Sequence, residues 1–244
     1  MVTTMIPRAS LGLAVASALT LALAGFGYRW GWWGVATSFS VLRVAAFAGI
    51  GVALLALVGV GLAAFTRAWP ALGLAVAALA IAAVVVWLPL SLQKAARTVP
   101  HIHDITTDTE NPPTFVAILD RRRGAPNPSE YDGPEVAAQQ KRGYPDLGPA
   151  TVSVPPERAL AAAEATARAL GWEIVAVVPA EGRLEATATT PWFGFKDDVV
   201  VRVTPEGSGS RVDVRSKSRI GRSDLGTNAK RIRAFLTDLR SHLA

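Results

Sequence analysis

The strongest constraint in this sequence is where charge is missing. Between Met1 and Leu92 the only charged side chains are Arg8, Arg29, Arg43 and Arg67, so four of the 25 basic residues and none of the 19 acidic ones fall there. The arginines separate apolar stretches at Ala9 to Tyr28, Val44 to Thr66 and Ala68 to Gln93. About 20 residues at about 1.5 Å each match a hydrocarbon core of roughly 30 Å, so each stretch can cross a bilayer as a helix that satisfies its own backbone. Residues 1–93 are therefore expected to form a transmembrane region with spans at about 9–28, 44–66 and 68–93.

Interfacial aromatic residues agree with those limits. Tyr28, Trp30, Trp32 and Trp33 crowd the end of the first span, and Trp69 precedes the third. A cleaved signal peptide is the alternative for the first span, but its apolar run is long and leads into Arg29 and tryptophans rather than a polar mature start. Gly and Ala dominate all three spans, which permits close helix packing. No acidic residue, His or Lys lies inside a span, so the bundle reads as an anchor rather than an ion or proton path. The expected setting is the plasma (inner) membrane, multi-pass, with the bilayer as partner. Arg8 and Arg67 on the N-terminal side face Arg29, Arg43, Lys94 and Arg97 on the other, a count that favours a cytoplasmic soluble domain without deciding the matter.

The net charge of +6 divides into +4 before Leu92 and +2 after it, so the high pI does not describe a basic domain. Nucleic-acid binding, which calls for a basic face with readable motifs, is not expected. The absence of cysteine excludes disulfides and thiol catalysis.

From residue 94 to 150 the chain is Pro-rich, with Pro112, Pro113, Pro126, Pro128, Pro134, Pro145 and Pro149. Such density forbids long helices and predicts an extended strap with one short helix around Glu135 to Lys141. Residues 151–244 read as a regular domain. Pro155 and Pro156 open a helix to Leu170 that Gly171 closes, and β-type runs follow at Trp172 to Val178, Leu184 to Thr190, Asp197 to Thr204 and Arg211 to Ser218. A last helix from about Asn228 to Leu243 carries an apolar stripe. The expected fold is a membrane all-α N-terminal region plus a C-terminal α+β two-layer sandwich, with an antiparallel four- to five-stranded sheet whose edge holds the strand around Val152. Leu184, Ala186 and Ala188 alternate with Glu185, Thr187 and Thr189, which predicts one covered and one wetter sheet face.

A hairpin centred near Gly207 would set Asp197 and Asp198 opposite Ser216 and Lys217, close to Arg219. Beyond it, the glycine-bearing loop from Ser218 to Asn228 leads into the last helix and offers backbone N–H groups to an anion. Asp197, Asp198, Arg219, Ser223, Asp224 and Asn228 form the candidate ligand surface, for an anionic small molecule or a lipid headgroup. The competing structural explanation is cross-strand ion pairing, with Thr227 or Asp224 capping the helix. No catalytic set is complete: residues 221–225 fail the G-x-S-x-G elbow at its last position, and His101, His103 and His242 are the only histidines. His101, His103 and Asp104 could ligate a metal, although a solvated juxtamembrane stretch is the expected role. Trp192, Phe193 and Phe195 are expected in a core rather than as a stacking platform. No Walker loop, Rossmann fingerprint or zinc-protease motif occurs, and no cofactor or metal is expected.

Three separated segments resemble one family. They are residues 103–108 with Pro112-Pro113; Gly194-Phe195-Lys196-Asp197-Asp198-Val199 with Arg202-Val203; and Val214-Arg215-Ser216-x-Ser218-Arg219-x-Gly221-x-Ser223-Asp224-Leu225-Gly226-x-Asn228. In this order, over roughly Ile102 to Leu243, the chain resembles the Domain of Unknown Function 1499 family. The resemblance implies uncharacterised bacterial or plant relatives, some similar to lipoproteins, and no reaction. Lipoprotein-like relatives would place the domain outside the cytosol, against the arginine count. The leading expectation is a membrane protein displaying a non-catalytic binding or envelope-associated domain. The alternative is a membrane-anchored hydrolase or transferase acting on an anionic substrate at the Asp197/Arg219/Asp224 loop.

Overall fold

A computed structural model describes residues 2–243. Its first unit comprises residues 1–94 with the short segment Pro191–Gly194. Three helices make it up, α1 (Val2–Arg29), α2 (Val35–Phe65) and α3 (Trp69–Thr98), each long and apolar enough to cross a membrane. Small residues line their mutual contacts: Ala14, Ala45, Ala56, Ala63, Ala75, Ala78 and Ala82 are all buried. In lipid there is no hydrophobic drive between helices, so close backbone approach through small side chains supplies the packing. Gly49 shows how close: a Cβ there would lie 2.9 Å from Val85 Cγ1. Arg43 sits within α2 rather than at its start, because nothing between Gly34 and Gly49 breaks the helix. Trp192 packs beside Leu21, Ala45 and Val85 in this unit and donates its indole N–H to Ala22 O at 3.0 Å.

The second unit is an α+β domain. Its elements are β1 (Asp104–Thr106), α4 (Pro134–Gly143), β2 (Ala150–Val152), α5 (Pro156–Ala169), β3 (Glu173–Val178), β4 (Arg183–Thr189), β5 (Lys196–Glu206), β6 (Gly209–Ser218) and α6 (Thr227–Leu243). The antiparallel sheet runs β1-β6-β5-β4-β3, and β2 also pairs with β6. It has six strands, since the Pro-rich strap contributes β1, a three-residue strand too short to show a sequence period.

One sheet face packs on α5 and α6 through Leu184, Ala186, Val199, Val201, Val212 and Val214, with Trp172 stacked on Phe235 at 5.3 Å. The β4–β3 connection is tight enough to need glycine: Gly182 has φ +58°, and a Cβ there would meet Val203 O at 2.1 Å. The other face is polar, as the alternation predicts, but not wet. Glu185 is 0% and Thr187 2% exposed, because residues 107–133 fold back over it, while Thr189 is exposed. Hydrogen bonds and ion pairs from those residues reach β4, β5 and β6.

Both rings of the aromatic stack are buried in the helix-side core. Phe235→Ala is expected to lower the unfolding free energy by about 3–5 kcal/mol. Urea unfolding of the full chain in detergent micelles, followed by tryptophan fluorescence, measures it.

Candidate functional site

The β5–β6 hairpin places the acidic pair. Its turn is the two residues Gly207 and Ser208, with Glu206 opposite Gly209 and φ +58° at Gly207. That register sets Asp198 opposite Lys217 and Asp197 opposite Ser218, one residue removed from the expected pairing. Neighbouring strand residues point to opposite faces, so the two aspartates serve different layers.

Asp198 faces the strap. It is fully buried, receives Arg122 Nη1 at 2.7 Å and Thr187 Oγ1 at 2.8 Å, and is bracketed by Arg219 at 2.8 and 2.9 Å. Arg122 comes from the basic run 121–123, which forms part of a short 3-10 turn at Leu119–Arg122. Asp197 faces the helices and pairs with Arg231 of α6 at 2.6 Å. Arg231 also donates to Ser216 and to Asn228 Oδ1. Asn228 is fully buried and spans the gap between α6 and the sheet: its Oδ1 accepts from Ser216 Oγ at 2.7 Å, and its Nδ2 donates to Ser218 Oγ and His103 O at 3.0 Å each.

Asp224 caps α6 by accepting the N–H groups of Gly226 and Asn228, each at 2.8 Å. Burial pushes its carboxyl above the ordinary carboxylate range, and those two N–H groups oppose the shift only in part. Ser223 Oγ accepts the Leu225 N–H at 3.4 Å. The six candidate residues thus divide. Asp198 and Arg219 meet under the strap; Asp197, Asn228 and Asp224 are linked on the helix side; Ser223 stays in the loop.

The larger constellation is the strap face itself. Asp104 receives Arg215 at 2.8 Å and Lys217 at 3.2 Å, and Lys217 also reaches Asp132 at 2.6 Å. Arg215 lies over the rings of Phe115 at 4.9 Å and Tyr131 at 5.4 Å. Burial, with the nearby Asp104 carboxyl, pushes the Tyr131 hydroxyl up to about 12. Glu185 accepts the backbone N–H groups of Val116, Ala117 and Ile118 at 2.9 to 3.2 Å and pairs with Arg183. Asp213 and Asp108 share Arg202 and Arg211 at 2.9 to 3.1 Å. Of these residues the sequence drew attention to Asp104 as a possible ligand, to Lys217 across the hairpin and to Glu185 in the alternation of β4. Lys217, Arg215, Asp213 and Glu185 stand at alternate strand positions, a signal that shows polarity but not burial.

The stretch around His101 and His103 is not a solvated linker. Ile102, Asp104, Ile105 and Thr106 are buried, His103 Nε2 lies 3.2 Å from Asp132, and only His101 is exposed, since β1 docks on β6. Among the described residues no group of three metal-ligating side chains occurs. Trp192 and Phe193 pack with each other edge-on at 4.8 Å within the first unit. A groove of about 420 Å³ between α1 and α2 is lined by Leu13, Ser17, Thr20, Ala48 and Leu55 among others. Its hydroxyls are engaged: Ser17 and Thr20 each donate to the carbonyl four residues back.

Two outcomes follow. Asp198→Ala strands the Arg122 and Arg219 guanidiniums and is expected to cost about 3–5 kcal/mol of unfolding free energy in urea, with trypsin cleaving faster at Arg121 to Arg123. For Asp224 the folded carboxyl binds its proton more tightly than the unfolded one. Its contribution to stability is therefore greatest at low pH and falls as pH rises from the ordinary value of 3.8 through the raised folded value. Asp224→Asn removes that slope, so its urea midpoint relative to the unmodified chain is expected to be higher at pH 7 than at pH 3.5.

The family described as Protein of unknown function (DUF1499) matches residues 104–239. A comparison with curated proteins finds no match. Among solved structures, the crystal structure of TTHA0849 from Thermus thermophilus is similar over 39% of this chain and 94% of that one, at 14% identity and a TM-score of 0.26. So slight a likeness supports no argument about fold or function. The matched residues run from the first residue of β1 to Leu239 of α6, take in the strap and both sheet faces, and make this chain a member of the DUF1499 family.

Proposed function

We propose that this chain is a multi-pass protein of the plasma (inner) membrane that displays a non-catalytic binding or envelope-associated domain. The observation that carries this reading is the saturation of the domain's buried charges by one another. Asp104, Asp198, Asp213 and Glu185 are each engaged by at least one cation or a row of backbone N–H groups. A general base or nucleophile needs an accessible lone pair within reach of a substrate. Carboxylates locked into buried ion pairs lack one.

The membrane half supports an anchoring role. Its spans hold arginines and no acidic residue, His or Lys inside the apolar stretches, which leaves no chain of proton-carrying groups. The hydrolase or transferase alternative needs Asp197, Arg219 and Asp224 around one substrate. Asp197 points to the helix layer and Arg219 to the strap layer, with the sheet between them. Binding of a lipid headgroup at the candidate surface is also less favoured, because Arg219 and the neighbouring Arg231 are already paired with Asp198 and Asp197.

The chain is expected to stay in the pellet when cell membranes are washed with alkaline carbonate and to enter solution only with detergent. A reporter fused after Ala244 then gives the compartment of the domain. Recovery in the soluble fraction would remove the membrane reading. Steady turnover of any defined substrate by the full chain, lost in an Asp224→Ala variant whose circular dichroism is unchanged, would remove the non-catalytic one.

A further inference from the structure

Four residues of the helical unit come from far along the chain. Pro191–Gly194, which connect β4 to β5, belong to it rather than to the unit that holds the sheet. Trp192 is the centre of the contact: its ring packs beside Leu21, Ala45 and Val85, and its indole N–H reaches Ala22 O at 3.0 Å. Room for that ring comes from one missing side chain, since a Cβ at Gly25 would lie 2.4 Å from Trp192 Cδ1 and Nε1. Phe193 is buried and stacks on Phe39 of α2 at 6.0 Å. Arg29, the last residue of α1, donates to the Pro191 carbonyl. Its stem lies against Gly194, where φ is +70° and a Cβ would meet Arg29 Cγ at 2.8 Å.

These partners say which solvent the segment meets. Ala22 precedes Arg29 by about two helical turns, or about 10 Å along the axis, and so lies inward of the Trp30, Trp32 and Trp33 belt. Irregular backbone is tolerated at membrane depth only where protein satisfies and covers it. The segment meets that condition. It carries no ionisable side chain, Pro191 has no N–H to satisfy, and both the Pro191 carbonyl and the Trp192 indole N–H are paired. An apolar ring with one satisfied polar end is also the side chain that favours the headgroup boundary. The sheet's other two hairpin connections, at residues 179–182 and 207–208, carry Glu181 and Ser208 instead. Where the segment leaves the strands its neck is tied: the Thr190 N–H donates to Phe195 O at 2.9 Å and the Phe195 N–H to Thr190 Oγ1 at 2.8 Å. The four residues between them form a closed finger rather than slack chain.

We infer that Pro191–Gly194 is a re-entrant element that enters the bilayer beside the three helices, with Trp192 below the headgroups in a socket formed by Ala22, Gly25, Ala45 and Val85. The partner it fits is the apolar boundary layer of a membrane. This rests on the membrane reading proposed above and adds to it a fourth, non-helical point of entry. Trp192 and Phe193, expected in a core, then sit where protein and lipid meet. The cause is local, so filling the Gly25 position withdraws the ring without displacing the spans.

The full chain labelled with fluorotryptophan carries seven indole signals for fluorine NMR, each assigned by its loss in the matching Trp→Phe variant. In bilayer nanodiscs two paramagnetic probes are compared, a phosphatidylcholine with a nitroxide near the top of its acyl chain and a water-soluble gadolinium chelate. Trp87, exposed on α3, is the lipid reference, and Trp172, buried in the α+β core, is the protein-interior reference. Trp192 is expected to broaden with Trp87 under the lipid probe, at least twofold more than Trp172, and to be spared by the chelate. Gly25→Val is expected to lower the lipid-probe effect on Trp192 at least twofold while Trp87 and Trp172 keep theirs. A Trp192 signal that ignores the lipid probe overturns the inference, as does one that Gly25→Val leaves unchanged. If Trp87 alone responds to the lipid probe, the three spans stand and only the re-entrant element is lost. If Trp87 ignores it too, the membrane reading falls with the inference.

Discussion

The C-terminal half of this protein depends on the cost of placing ions where water cannot reach. Asp104, Glu185, Asp198, Asp213, Arg215 and Lys217 all sit on one face of the sheet at no more than 1% exposure. Taken singly, each would be expensive to desolvate, and the expense falls only when partners stand at hydrogen-bonding distance. The strap supplies many of those partners: Arg122 to Asp198, Asp132 to Lys217, three backbone N–H groups to Glu185, and the Ser129 carbonyl to Arg215. Strap and sheet therefore define each other. Without the strap, the face would be a hydrated array of charges; without the face, a segment so rich in proline would have little reason to take one path.

The opposite face obeys a simpler rule. Its valines, leucine and alanines meet the apolar stripes of α5 and α6, and burial in proportion to area holds them. Here Asn228, Ser216, Ser218, Asp197 and Arg231 make a polar seam, and it lies where α6 begins. A domain with one dry apolar face and one dry ionic face resists two different perturbations: denaturant acts chiefly on the first, and loss of a single charged partner on the second.

Much of the fold was legible because it rests on short-range signals. The charge gap through Leu92 marked three long helices, Pro156 and Gly171 bounded α5, and alternating residues marked β4 to β6. What could not be read was the fate of the polar alternate positions. Glu185 and Thr187 look wet in sequence, since nothing local says that residues 107–133 will return to cover them. Lys217 and Asp104 are 113 positions apart, and a contact at that separation leaves no periodic trace. The hairpin register was missed by one residue for a related reason: whether the turn spans Gly207 and Ser208 or is centred on Gly207 alone is decided by turn geometry, and the difference puts Lys217 opposite Asp198 and Ser218 opposite Asp197. The segments that carry the family resemblance turn out to supply Asp104, Asp198, Arg202, Arg215, Arg219 and Asn228, the clasps between layers.

Strand β6 hydrogen-bonds to β1, β2 and β5, yet it is the last strand of the sheet in chain order. Three of the sheet's pairings therefore wait until Ser218 has been synthesised, long after the apolar helices have emerged. Until then the residues from β1 to β2 have no template to settle on and carry their charges into solvent. Assembly of the C-terminal domain is thus a late, concerted event that follows synthesis of the three long helices, and the long separations it closes place it among topologies that fold slowly.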